Sequence, residues 1–146
     1  MSPYLGESPV CESKKPRLSW DEYFREIAKL VSTRSTCPRA SVGAILVKDK
    51  RIIATGYNGA LPGEPHCTAI GCDMQDNHCQ RAIHAEVNAI AQAAKFGVSV
   101  IGAVFYIYMS RGDIGPCREC RKVISAAGIG VYSCRTDRIN LGEIFG

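Results

Sequence analysis

The chain has 146 residues, 46% hydrophobic and 22% charged, a globular composition long enough for one domain with its own core and too short for two ordinary ones. Eighteen Lys and Arg against 14 Asp and Glu leave a formal +4, which suits a phosphate-bearing ligand without demanding nucleic acid. With no apolar run near the roughly 20 residues of a membrane helix and no signal-peptide core, a cytoplasmic location is expected, and the eight cysteines read first as metal ligands or reactive thiols.

Residues 1–18 carry Pro3, Pro9 and Pro16 among Ser, Lys and Glu without a hydrophobic period, and are expected to form a flexible leader to a domain over 19–146. Ser19-Trp20-Asp21-Glu22 has the form of a capping box. Phe24, Ile27, Leu30 and Val31 follow at helical spacing, and the helix should fail before Pro38. Ser41 to Val47 and Arg51 to Tyr57 read as two strands of a hairpin joined by Lys48-Asp49-Lys50. Asn58 to His78 is rich in Gly, Pro and Cys and too long for a casual loop, so it should be functional or held by something. Arg81 to Phe96 returns to helix, with Ile83, Val87, Ile90, Ala91 and Ala94 as its apolar stripe and Gly97 as its stop. Ala103 to Tyr108 is a strand, Pro116 to about Ala127 a third helix, and Ile129 to Ser133 another strand. Helices alternating with strands in this way predict a three-layer α/β/α sandwich around a mixed sheet.

Two segments carry most of the chemistry: His84-Ala85-Glu86 and Pro116-Cys117-Arg118-Glu119-Cys120. Cys117 and Cys120 lie three apart at a helix start, where their sulfurs share a face and the positive helix end favours thiolate. His84 would be a third ligand, and three protein ligands leave a tetrahedral zinc one open position, the catalytic arrangement. Glu86, two residues from His84, can converge on that position only if His84 occupies the first helical turn and the pocket lies off the helix end. Alone, a His-x-Glu is commonly surface helix, and a lone Cys-x-x-Cys is a redox pair or half a zinc ribbon. Together, with Pro before the first Cys, they form the known zinc-deaminase signature.

From Trp20 to Tyr132 the sequence resembles the cytidine deaminase superfamily, and within it the deoxycytidylate (dCMP) deaminases of bacteria and phages. The matching segments include Ser35-Thr36-Cys37-Pro38-Arg39, Ser41-Val42-Gly43-Ala44, Gly56-Tyr57-Asn58-Gly59 and His84-Ala85-Glu86-Val87-Asn88-Ala89-Ile90. Gly-Tyr-Asn-Gly and the following His66-Cys67 point to the dCMP branch. The chain departs from the pattern in extra residues between Tyr108 and Pro116 and in an early C-terminus, so the fifth strand is expected to be short or missing. The resemblance implies a cytidine deaminase-like fold and the hydrolysis of dCMP to dUMP and ammonia for dTMP synthesis. A water acidified by zinc attacks C4 of cytosine while Glu86 moves the protons. Glu119, between the cysteines, is expected to face solvent.

Asn58 matches an Asn that related deaminases place against the sugar, and is equally a turn-forming Asn-Gly. Backbone groups at Ala85 and Ser110 are candidates for the amide edge of the ring, and Arg39, Ser41 and Arg111 for the 5′-phosphate. Cys37, Cys67, Cys72, His78 and Cys79, with His66, gather in and beside the long loop and form the candidate pool for a second, structural zinc, which related phage enzymes carry. Cys134 and Cys11 read as ordinary free cysteines. The resemblance further implies a homo-hexamer activated by dCTP and inhibited by dTTP, each with Mg²⁺, with Gly56, Tyr57, Asn58, Gly59 and Gly63 as the candidate nucleotide turn. No membrane and no stable nucleic acid partner are expected. Competing readings are a deaminase of free cytidine or deoxycytidine, one acting on a base in single-stranded nucleic acid, and a zinc-stabilised binding module without turnover.

Overall fold

The structure, a computed structural model, describes residues 16–112, 115–134 and 137–140; most of the expected leader, with Cys11, lies outside them. Helix α1 (Trp20–Ser32) starts at the capping box: Ser19 Oγ accepts from the Glu22 amide at 3.2 Å, and the Glu22 carboxylate accepts from the Ser19 amide at 3.1 Å. Strands β1 (Val42–Lys48) and β2 (Arg51–Tyr57) pair antiparallel. Their two-residue turn holds Asp49 and Lys50 at φ 51° and 60°, the backbone twist that suits a tight hairpin.

After the long central segment come α3 (Ala85–Lys95), β7 (Val104–Met109), α4 (Arg118–Ala126), β8 (Val131–Cys134) and β9 (Asp137–Asn140). The main sheet runs β2-β1-β7-β8-β9. β7 and β8 are parallel, as a helical crossover through α4 requires, and the other neighbours are antiparallel. The fifth strand, expected to be short or missing, forms over four residues against β8.

Helices cover both faces of the sheet, as the alternation predicted. On β1, Ile45 and Val47 join Phe24 and Ala28 of α1 and Tyr106 of β7 on one side. Ala44 and Leu46, one residue out of phase, join Phe105, Ile107, α3 and α4 on the other. A central strand buried on both faces explains the unbroken apolar run of β1.

Two glycines set how closely the helices lie. A Cβ on Gly43 would stand 2.1 Å from the Ala28 carbonyl oxygen of α1, and one on Gly56 2.4 Å from the Ala85 carbonyl oxygen of α3. Contacts this tight admit only small residues on the facing helix. Opposite these glycines stand Ala28 and Ser32 on α1 and Ala85 and Ala89 on α3, all buried. Of the predicted stripes, Phe24 is buried and Ile27 and Val31 pack against it half-buried, Val87 and Ile90 are half-buried, and Leu30 (69% exposed), Ala91 and Ala94 face outward.

The long central segment has structure of its own: β3 (Gly59–Ala60), the single-turn helix α2 (Cys67–Ile70), a small hairpin of β4 (Met74–Gln75) and β5 (His78–Cys79), and β6 (Ala82–Ile83). β6 pairs antiparallel with β3. The predicted start of the second helix at Arg81 is therefore corrected: Ala82 and Ile83 are strand, and helix begins at Ala85.

Candidate active site and metal centres

Two helix starts face each other across the site. His84 is the N-cap of α3, with extended backbone (φ −67°, ψ 148°) and a side chain that makes no cap bond, so its ring is free to turn away from the helix. Cys117 is the N-cap of α4; its sulfur takes the place of the usual serine or aspartate oxygen and accepts from the Cys120 amide at 3.4 Å. Cys120 follows in the first turn, buried. The His84 Nδ1 atom lies 3.4 Å from Cys117 Sγ and 3.3 Å from Cys120 Sγ.

These separations test the fit of a metal. With zinc–sulfur bonds of about 2.3 Å and zinc–nitrogen bonds of about 2.0–2.1 Å, a tetrahedral site has N···S edges of about 3.6 Å. One imidazole nitrogen and two sulfurs at this spacing, at the positive ends of two helices, fit zinc. Burial pushes the Cys120 thiol far above its ordinary range, with the Glu86 carboxylate and Cys117 adding to the effect.

Glu86 is 2% exposed, and its Oε2 accepts from Cys120 Sγ at 3.2 Å. His84 and Glu86 converge because His84 stands outside the helix with extended backbone; the expectation that it sits within the first turn is replaced by this N-cap geometry. Glu119 is exposed, as expected, and pairs with Lys122 at 3.2 Å.

A cavity of about 570 Å³ opens over this group. His84, Ala85, Glu86 and Cys117 form one side, with Asn58 and Cys37 also in the lining. The Asn58 Oδ1 atom accepts from the Val42 amide at 2.9 Å and from Ser35 Oγ, while Nδ2 donates to the Ala40 carbonyl at 2.8 Å. Four arginines, Arg39, Arg111, Arg118 and Arg121, line the cavity, and Glu86 is the sole carboxylate among the described lining residues. Arg121 Nε is anchored on the Pro116 carbonyl at 3.0 Å.

Ser41 and Ser110, both candidates from the sequence, are not in the lining. They extend the β1–β7 ladder instead: the Ser41 amide donates to Ser110 Oγ at 2.8 Å, and the Ser110 amide to the Ser41 carbonyl at 2.9 Å. Sequence reasoning missed Arg118 and Arg121. A signal was available: cations in the first turn of a helix oppose its dipole, so two arginines there already hint at a bound anion.

Of the pool for a second centre, Cys67, Cys72 and Cys79 come together with sulfurs within 4.8 Å of one another. Cys37 is not in that group but lines the cavity, and His78 is exposed on the hairpin. His66 turns its Nδ1 to Thr36 Oγ1 at 3.1 Å. Cys67 and Cys79 sulfurs are 3.5 Å apart. Burial first, and then the neighbouring thiols of Cys79 and Cys72, push Cys67 up to about 12. Burial acts the same way on Cys79, but hydrogen bonds from the backbone at Ala82, Arg81 and Asp73 and from Cys67 outweigh it and hold Cys79 at about 7. Cys134 is buried in the sheet as an ordinary core cysteine.

In the candidate nucleotide turn, packing accounts for two glycines. Gly56 presents its bare Cα to α3, and a Cβ on Gly59 would stand 2.6 Å from Thr36 Oγ1. Gly63 is different, with φ +84° and open space around it. Among the described residues, no helix is long and apolar enough to cross a membrane.

Comparison with known proteins gives a consistent result. Residues 18–135 match the family model for the cytidine and deoxycytidylate deaminase zinc-binding region. The chain is 52% identical over 113 residues to ComE operon protein 2 of Bacillus subtilis, an alignment covering 77% of this chain and 57% of that protein. It is 37% identical over 124 residues to the deoxycytidylate deaminase of Mycobacterium phage D29, covering 77% of this chain and 91% of the phage protein. The crystal structure of the dCMP deaminase from cyanophage S-TIM5, in complex with dCMP and dUMP, superposes with a TM-score of 0.68 at 31% identity, over 83% of this chain and 84% of that one.

Proposed function

Since this chain belongs to the cytidine and deoxycytidylate deaminase family, we propose that it catalyses the zinc-dependent hydrolytic deamination of dCMP to dUMP and ammonia, feeding dTMP synthesis. One observation carries the reading: a buried carboxylate beside a His/Cys/Cys group, in the lining of a cavity that four arginines share. The first part supports deamination, and the second a substrate with a phosphate over a bare nucleoside.

His84, Cys117 and Cys120 would hold a zinc, which when bound would supply an acidified water, its pKa lowered from 15.7 to about 7. Glu86 takes the proton of that water, gives it to N3 of the ring, and later carries a proton to the departing ammonia. The balance is one C4–N bond broken, one C4=O bond made and one water consumed. Glu86 Oε2 lies 3.2 Å from Cys120 Sγ, which places the carboxylate beside the His84, Cys117 and Cys120 group without making it a fourth member. Burial of Glu86 keeps bulk water from competing for its proton.

Asn58 has its oxygen filled and one N–H used, so it can meet the sugar only as a donor through the remaining N–H. The Ala85 backbone, at the cavity wall, is a candidate for the amide edge of the ring. Arg39 and Arg111, now joined by Arg118 and Arg121, are the candidates for the 5′-phosphate. Cys67, Cys72 and Cys79 would supply three of the four ligands that a second, structural zinc needs. On the resemblance to dCMP deaminases, the assembly is a homo-hexamer activated by dCTP and inhibited by dTTP, each with Mg²⁺. Tyr57 and the open Gly63 loop remain candidates for contact with the regulator, with a coupling of about 1–3 kcal/mol.

A panel assay tests the reading: dCMP, CMP, deoxycytidine, dCTP and a cytosine-containing oligonucleotide, followed by loss of cytosine absorbance. The expected result is turnover of dCMP well above the others, with dCTP sharpening and dTTP suppressing the saturation curve. Turnover of the nucleoside or the oligonucleotide in preference to dCMP refutes it.

A further inference from the structure

The small β4–β5 hairpin touches the substrate cavity through one residue. Arg39 lines the cavity, and its Nη1 atom donates to the Asn77 carbonyl at 3.4 Å and lies 3.4 Å from the Met74 sulfur. Met74 is on β4, and Asn77 is in the turn that follows. That turn holds Asp76 and Asn77 at φ 50° and 64°, which fixes the direction of the Asn77 carbonyl.

Little apolar packing holds this hairpin. Met74, Gln75 and His78 are exposed, and two-residue strands are too short to be stable alone. What ties it down is chemical. The Gln80 amide donates to the Asp73 carbonyl at 2.7 Å across its open end. Cys72 and Cys79, one on each side of that end, group with the buried Cys67 of α2. An exposed arginine otherwise samples many rotamers, and a fixed carbonyl on its guanidinium removes much of that freedom before substrate arrives.

We propose that the cysteine-tied hairpin is a positioning device for Arg39, so that Cys67, Cys72 and Cys79 set the affinity for the phosphate-bearing substrate from outside the catalytic centre. Met74 and Asn77 are positioning residues that act through Arg39. This role deepens the dCMP reading and depends on it, because Arg39 is useful in this way only toward an anionic group.

The test measures dCMP and deoxycytidine binding by calorimetry in the zinc-loaded full-length chain carrying Glu86→Gln, where substrate is not consumed. Met74→Ala is added alone and together with Arg39→Ala, and Cys72→Ser is run in parallel. Met74 is exposed and outside the cysteine group, so its variant keeps the test valid if Cys72→Ser fails to fold. The expected result is dCMP affinity lowered about 3- to 10-fold by Met74→Ala, the scale of one hydrogen bond lost from a preset group, with deoxycytidine affinity unmoved. In the Arg39→Ala background the same change should have no further effect. Additive losses, or an equal loss toward deoxycytidine, overturn the positioning role. If dCMP is preferred and Met74→Ala leaves that preference intact, the positioning role alone falls. If the parent binds deoxycytidine as tightly as dCMP, the nucleotide reading itself fails.

Discussion

Gly56→Ala tests fold and site together. The added methyl would stand 2.4 Å from the Ala85 carbonyl oxygen and 2.5 Å from the Ala89 amide, both backbone atoms of α3. No rotamer can relieve such a clash, so helix and strand must separate by about 0.6 Å to reach even a 3.0 Å contact, and by more for an ordinary one. Forcing a methyl into a packed interior costs about 1–3 kcal/mol. The displaced turn is the one that carries His84, Ala85 and Glu86, and a misplacement approaching 1 Å costs as much as about 10²-fold in rate. Urea denaturation of the zinc-loaded protein should show the lower stability, and kcat at saturating dCMP should fall about 10- to 100-fold. An alanine variant with the parent's urea midpoint and kcat would falsify the close approach of β2 and α3 as the feature that sets the site.

Glu86→Gln should keep the fold and the catalytic zinc yet lose about 10²–10⁴-fold in kcat; near-normal turnover in a zinc-loaded variant removes Glu86 from proton transfer. Metal analysis should return two zinc ions per chain, with Cys117→Ser abolishing activity in a folded protein and Cys67→Ser lowering stability; one zinc in a stable, fully active preparation rules out the second centre. In metal-stripped protein, iodoacetamide should label Cys79 with half-maximal rate near pH 7 while Cys67 resists, read by peptide mass spectrometry. The sign follows from a depressed thiol: the stabilisation of the Cys79 thiolate is complete above its unfolded pKa near 9.0 and is lost as pH falls through about 7. Equal labelling of Cys67 and Cys79 at pH 7 contradicts that order.

The sequence alone determined the long elements α1, β1, β2, β7, α4 and β8, the body of α3, and the metal-ligand candidates. Local signals suffice there: the Ser19–Glu22 capping box, the apolar runs of β1 and β2, and a Cys-x-x-Cys at a helix start depend on neighbours a few residues away. Spacing also narrowed the loop cysteines to a pool but could not choose Cys67, Cys72 and Cys79, because the choice depends on how α2 and the hairpin fold back on each other. The small residues that face the sheet on α1 and α3 were hidden for a related reason. Hydrophobicity picks out the largest apolar residues, whereas Gly43 and Gly56 bring backbones so close that only small residues, Ala28 and Ser32 or Ala85 and Ala89, fit opposite them. The start of α3 could not be read either, since the pairing of Ala82 and Ile83 with Gly59 and Ala60 draws on residues more than twenty positions away. Only the tertiary structure brought Arg39, Arg111, Arg118 and Arg121 around one cavity and seated Glu86 against Cys120, because each of those contacts joins segments that meet only when both helix starts are docked at the same end of the sheet.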